Sequence, residues 1–255
     1  MTKISAVIIT LNEQVNIGRC LESLRGIADE IVVVDSFSTD RTKEICLQYG
    51  TRFLEHPFAS YNEQKNFAVR QAIHPLVLSL DADEMLSPEL RQSILEEKQN
   101  PVSDGYSINR LTNYCGKWIR HAWYPDAKLR LWNVTKGQWD ESVIHEKVTM
   151  TAGATIGHLK GDLYHYTYYS LEGHLSQQHK YAFLSAKALF ASGKRSSLVK
   201  IIVNPFLTFV KLYFLKQGFR DGYEGFLVSR ISSLTVFMKY IYLMDLQRKN
   251  REGGV

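Results

Sequence analysis

Apolar and polar positions follow two rhythms over the first hundred residues. SAVIIT (5–10) is a short β-rich run, and NIGRCLESLRGI places its apolar residues at helical spacing. EIVVVD (30–35) is a nearly continuous apolar strand, and STDRTKEICLQYG opens on a Ser/Thr/Asp cap and stops at Gly50. TRFLEH predicts a third strand, NEQKNFAVRQAI a third helix and LVLSLD a fourth strand. SPELRQSILEEKQ then opens with Ser87 and Pro88, proline at the favoured first helical position. This β-α-β-α order predicts an α/β fold with a mostly parallel sheet and helices on both faces.

The rhythm changes over 101–165. GYSINRL, AKLRLWN and EKVTM read as short alternating strands, and GATIGHLKGDLYHY as one or two more. Trp118, Trp123, Trp132 and Trp139, every tryptophan of the chain, fall here in what the pattern predicts as an antiparallel, ligand-facing half. Beyond 170 the pattern is helical, with LEGHLSQQHKYAFLSAKALFASG as one amphipathic helix ending at Gly193. The expected organisation is a first half over 1–100, an antiparallel half over 101–168 and a helical, basic extension over 169–255.

Composition narrows this picture. Apolar residues are 45% of 255, enough for a sizeable core. Three scattered cysteines without CxxC spacing argue against a disulfide framework or a zinc site. The start, MTKISAVIITLNE, lacks the features of a signal peptide. No uninterrupted apolar run reaches ~18 residues, so no membrane-spanning helix is expected. These features predict a cytoplasmic protein.

The net charge of +5 is uneven: residues 187–255 hold twelve Lys and Arg against four Asp and Glu. Within them LVKIIVNPFLTFVKLYFLK (198–216) is interrupted by Lys200, Asn204, Pro205 and Lys211, yet is too apolar for an ordinary exposed helix. Two readings stand: peripheral contact with an anionic membrane leaflet, or a helix packed on the catalytic domain with its lysines in water. The basic residues join no nucleic-acid-binding motif, so nucleic acid is not an expected partner.

Candidate chemistry gathers where strands stop. LVLSLDADEML (76–86) ends a core-like strand in Asp81, Asp83 and Glu84. Such charges repel unless a metal, a basic side chain or water compensates them. Asp35 and Asp81 both fall at carboxyl ends of predicted strands, the edge where open α/β sheets bind ligands. Strand alternation in Asp81-x-Asp83 points both side chains to one side, and their hard oxygens suit Mg²⁺ or Mn²⁺ rather than zinc. VIITLNE (7–13), VVVDSFSTDRT (32–42) and WDESVIHEKV (139–148) complete the polar set.

Together these stretches resemble family 2 glycosyltransferases of the GT-A fold, nearest the branch that includes lipopolysaccharide-core glucosyltransferases. NEQKNFA (62–68), AKLRLW (127–132), the HE of VIHEKV and KQGFRDGYEGF (216–226) extend the likeness over nearly the whole chain. The resemblance implies a Rossmann-like nucleotide-sugar-binding half joined to an antiparallel acceptor-side half, and a divalent cation as cofactor. It implies that Asp83 coordinates the cation and that Asp81 contacts the ribose or the cation's water shell. His165 is a further metal candidate, or a structural histidine.

Asp35, Thr10 and Glu13 would line the uracil and ribose pocket, although Asp35 could instead cap a helix unless Ser38 or Asp40 does so. Lys65 would approach the diphosphate or lie on a solvated helix face. The family's general base falls here at Glu146, beside His145, with Glu141 and Asp140 as alternatives because the motif departs from the commoner Glu-Asp form. Arg130, Trp139 and His145 are expected on the acceptor side; a surface strand arginine and a core tryptophan are the competing readings.

The implied reaction is metal-dependent, inverting transfer of a hexose from a UDP-sugar to a lipopolysaccharide-core or other surface glycan. Transfer to polyprenyl phosphate, which needs no base, and a non-catalytic nucleotide-sugar-binding module are the alternatives.

Overall fold

The computed structural model describes residues 1–140 and 147–251. In chain order the elements are β1 (Ile4–Thr10), α1 (Ile17–Ser23), β2 (Glu30–Asp35), α2 (Thr42–Gln48), β3 (Arg52–Glu55), α3 (Tyr61–Arg70) and β4 (Leu76–Asp81). Then come β5 (Glu84–Leu86), α4 (Pro88–Gln99), β6 (Gly105–Tyr114), β7 (Lys117–Trp118), β8 (Ala127–Asn133), β9 (Gly137–Trp139), β10 (Val148–Met150) and β11 (Ile156–Tyr168). The helices α5 (Leu171–Ala191), α6 (Leu198–Phe209) and α7 (Gly222–Arg251) close the chain. Two compact units result: 1–111 with 126–166, and 112–125 with 167–255.

The main sheet runs in the order β3-β2-β1-β4-β8-β6-β11-β5. Its first four strands are parallel, and β8 pairs antiparallel with both β4 and β6. The fold class is therefore the expected one, a parallel α/β half continued by an antiparallel half. Near-continuous apolar strands follow from burial on both faces. Ile4, Ala6 and Ile8 of β1 and Leu76, Leu78 and Leu80 of β4 join one core cluster with α1 and α4. The alternate residues Val7 and Val77 join another, with Ala68, Trp132 and Trp139.

The register brings the strand ends together. Thr10 pairs with Asp35, and Ile9 with Asp81, so β1, β2 and β4 all terminate at one edge. Strand β4 does not continue to Asp83. Ala82 and Asp83 form a turn, and the chain returns as β5 against β11 with Glu84 opposite His165. The Glu84 carboxylate closes that turn by accepting the Asp81 backbone N–H at 2.9 Å. Strand alternation therefore does not set the direction of Asp83. The stretch read as one or two strands is one, β11, a single strand of 13 residues that contains His165.

In the second unit, Tyr114, Ile119, Ala122 and Val228 form the core. The KQGFRDGYEGF stretch has a structural task there. The buried Asp221 carboxylate accepts the backbone N–H groups of Arg120, His121 and Ala122, each at 3.0 Å, and meets His121 Nδ1 at 2.7 Å. A Cβ on Gly218 would press on the Leu212 carbonyl, and one on Gly225 would strike the Gly218 carbonyl. After α6 the helix widens into a π-helical segment, Val210–Leu215, so the 198–216 stretch is helical as its composition suggests. The helical stretches Leu198–Leu215 and Gly218–Arg251 are long and apolar enough to cross a membrane by length and composition. Polar residues punctuate both, so neither carries an uninterrupted apolar run of ~18 residues.

Candidate functional site

Asp81 stands at the end of β4 between two cations. Lys65 Nζ lies 3.0 Å from Oδ1, and Arg130 Nη2 lies 3.0 Å from Oδ2. Lys65 reaches this point from α3, a helix capped by Ser60 and turned so that Lys65 is 2% exposed. Arg130 comes from β8 and is equally enclosed, so it is no surface strand arginine. Its guanidinium also lies 2.7 Å from the fully buried Glu84.

The indole of Trp139 completes the cluster. Lys65 Nζ sits 4.5 Å, and the Arg130 guanidinium 5.5 Å, from the ring. Such cation–π contact favours charge retained in an enclosed site. Asn66 fixes the tryptophan's backbone, accepting its N–H at 3.1 Å and donating to its carbonyl at 3.0 Å. Trp139 also packs edge-on against Trp132, 6.0 Å between centroids, so it is buried in the core rather than open as a platform.

The two paired carboxylates respond in opposite directions. Burial pushes Asp81 up, but attraction to Lys65 and Arg130 outweighs it and holds the carboxyl well below the usual carboxylate range. Burial dominates at Glu84 and raises it, with Arg130 pulling the other way and Asp81 adding to the rise. Arg110, 3.8 Å from Glu84 and 2.9 Å from Asp126, brings a third cation to this edge.

Asp83 is differently placed. Among the described ion pairs its partner is His165, with Nε2 3.3 Å from Oδ2. Glu13, in the loop between β1 and α1, is raised by burial and then by the charges of Asp83, Asp40 and Asp81, while a bond from Asn16 opposes the rise. The carboxylates therefore feel one another, an arrangement that suits a cation.

Among the described residues no three His, Cys, Asp or Glu side chains converge as a metal-ligating group. Magnesium is commonly held by one or two carboxylates together with substrate phosphates and water. An Asp83 carboxylate beside the His165 imidazole fits that pattern; Asp81, with each oxygen already on a cation, fits it less well.

The remaining strand ends form a polar rim. Asp35 accepts from the Ser38 backbone N–H at 2.6 Å and from the Ser38 hydroxyl, shaping its own turn. Asp40, one residue before the N-cap Arg41, accepts the Thr42 N–H at 2.9 Å at the start of α2. Asn12, with φ 55°, accepts the Thr39 N–H and donates its own N–H to Ser38, tying the loops after β1 and β2 together. The Thr10 hydroxyl is buried beside Asp35 with no hydrogen-bond partner among the described residues.

Thus the fold gathers Thr10, Glu13, Asp35, Lys65, Asp81, Asp83, Arg130, Trp139 and His165 at or beside one sheet edge. Asp140 follows Trp139 and lies 3.8 Å from Lys147. Glu141, His145 and Glu146 lie outside the described residues. Sequence reasoning assigned no part to Arg110 and left Glu84 without a partner; the signal was the uncompensated acidic run itself, which calls for cations.

A family model described as glycosyl transferase family 2 matches residues 5–154. An uncharacterized glycosyltransferase of Rickettsia typhi is 32% identical over 98% of this chain and 90% of its own length. A lipopolysaccharide core biosynthesis glycosyltransferase of Rhizobium meliloti, LpsC, is 32% identical over 92% of this chain and 89% of its own. Among solved structures, Staphylococcus aureus TarS 1–349 in complex with UDP aligns over 99% of this chain and 92% of that one, at 17% identity and a TM-score of 0.45.

Proposed function

The chain belongs to glycosyltransferase family 2 and is a glycosyltransferase; from that premise we propose that it transfers a hexose from a UDP-sugar, with inversion, to a lipopolysaccharide-core or related surface-glycan acceptor. The observation that carries the reading is the divided acidic turn. Asp81 and Glu84 are neutralised by Lys65, Arg130 and Arg110, whereas Asp83 faces only the His165 imidazole among the described ion pairs. The likeness to the Rhizobium meliloti protein supports the acceptor class.

In this reading Thr10 and Asp35 receive the nucleoside, the buried Thr10 hydroxyl finding its missing partner there. Asp83 and His165 hold the divalent cation, which when bound stabilises charge on the diphosphate. Lys65 and Arg130 fix the Asp81 turn and keep the edge from repelling the donor. The acceptor oxygen forms its bond to the anomeric carbon as the bond to the diphosphate breaks, and its proton passes to Glu146, with Glu141 and Asp140 as the neighbouring bases. Halves 1–100 and 101–168 serve donor and acceptor. The protein works in the cytoplasm, against the inner face of the membrane.

The test is turnover. The purified chain with Mn²⁺, a truncated lipopolysaccharide core and a panel of UDP-hexoses should release UDP and yield one product of inverted anomeric configuration by NMR. Donor hydrolysis alone, or a retained configuration, contradicts the proposal.

A further inference from the structure

The second unit leaves a large apolar face uncovered. From Lys187 to Arg220 the sequence has seven Lys and Arg and no Asp or Glu. Helix α6 packs on α7 through Ile201 and Pro205, where Ser233 donates to the Pro205 carbonyl at 2.8 Å. On the opposite side Val199, Ile202 and Phe206, at helical spacing, are 67%, 68% and 65% exposed. Leu198 at the start of the segment and Leu215 at its end are also exposed, at 69% and 75%.

At 3.6 residues per turn Lys200 falls along one border of this stripe, and Lys211 follows in the π-helical segment. Lys194 and Arg195 precede it, and Lys216 and Arg220 follow it. Scattered exposed apolar residues need no explanation, but a continuous stripe rimmed by charge of one sign does.

We propose that this face lies in the plane of an anionic bilayer surface, its apolar side chains in the acyl boundary and its lysines among the headgroup phosphates. Charge complementarity selects the occupant, because an amphipathic helix with a basic border binds anionic lipid through both terms. A crossing orientation is disfavoured: it would put Lys200, Asn204 and Lys211 into hydrocarbon, along with Arg230 and Lys239 of α7. The inference supplies the membrane partner of the reading above, but its test does not depend on turnover.

The experiment is flotation of the full chain with phosphatidylcholine vesicles, with and without one quarter phosphatidylglycerol, over rising NaCl. Binding should require the anionic lipid, weaken with salt and be released by alkaline carbonate. Ile202→Asp with Phe206→Asp, and separately Lys200→Glu with Lys211→Glu, should each reduce it at least tenfold, with unchanged thermal unfolding and UDP affinity. Equal binding to neutral vesicles, retention through carbonate, or variants that bind like wild type overturn the proposal. So does a lipid-free dimer that the Asp variants dissociate, since a second copy would then be the occupant.

Discussion

Lys65 Nζ lies 3.0 Å from Asp81 Oδ1, joining a helix that ends before β4 to the strand end that it precedes. The lysine is almost wholly enclosed, and Asp81 and the Trp139 ring supply part of the solvation that water would otherwise give its ammonium. Removing Lys65 takes from Asp81 one of its two cations and leaves Oδ1 without its charged partner while Arg130 stays on Oδ2. Lys65→Met should therefore cost about 3 kcal/mol in urea unfolding, and Asp81→Asn added to it should recover part of that loss. Strict additivity of the two changes would show that the pair is not coupled.

The proposed base is tested by Glu141→Gln and Glu146→Gln, made singly and together. If Glu146 takes the acceptor proton, its substitution should lower kcat by ~10²–10⁴ while UDP affinity is unchanged. Turnover that survives the double change points to an acceptor that arrives already ionised, such as a phosphate.

Asp221 holds three consecutive backbone N–H groups, and Asp221→Ala would leave them without their acceptor. A loss of at least ~2 kcal/mol is expected, with new proteolytic cleavage near residues 119–123. Gly225→Ala should be at least as harmful, because its Cβ would meet the Gly218 carbonyl. Wild-type melting of both variants would contradict the structural task assigned to the 216–226 stretch.

His174 is buried against Tyr114 and Tyr168, and burial lowers its imidazole from 6.5 to about 4. Its neutral form is the one that the fold accepts, so its contribution is complete above pH 6.5 and is lost as the pH falls toward 4. His174→Phe should lose less stability across that window than wild type does. Parallel stability curves for the two proteins would show that His174 titrates freely.

The parallel half was legible because burial on both faces writes itself as apolar runs such as EIVVVD and LVLSLD, and caps such as Ser87-Pro88 mark the helices between them. Asp81 and Asp83 were legible as charge at a strand end. The turn at Ala82-Asp83 was not, since no Gly or Pro announces it and it is closed by the Glu84 side chain. Nor were the counterions: Lys65, Arg110 and Arg130 come from one helix and two strands and meet only through the sheet order. A basic residue on a strand carries no sign of which neighbour's carboxylate it faces. Whether Ile156–Tyr168 forms one strand or two was left open, because Gly161 interrupts its pattern while its φ of 86° lets the single strand pass against the backbone of Leu90.

The most direct test of the central claim, that Asp83 is the carboxylate kept for a cation that holds the donor, is calorimetric titration of UDP. Wild type and Asp83→Ala would each be measured with Mn²⁺ and with chelator. UDP should bind wild type tightly only with Mn²⁺, and the substitution should abolish that dependence. Equal UDP affinity with and without the metal, or metal dependence that survives Asp83→Ala, would contradict it.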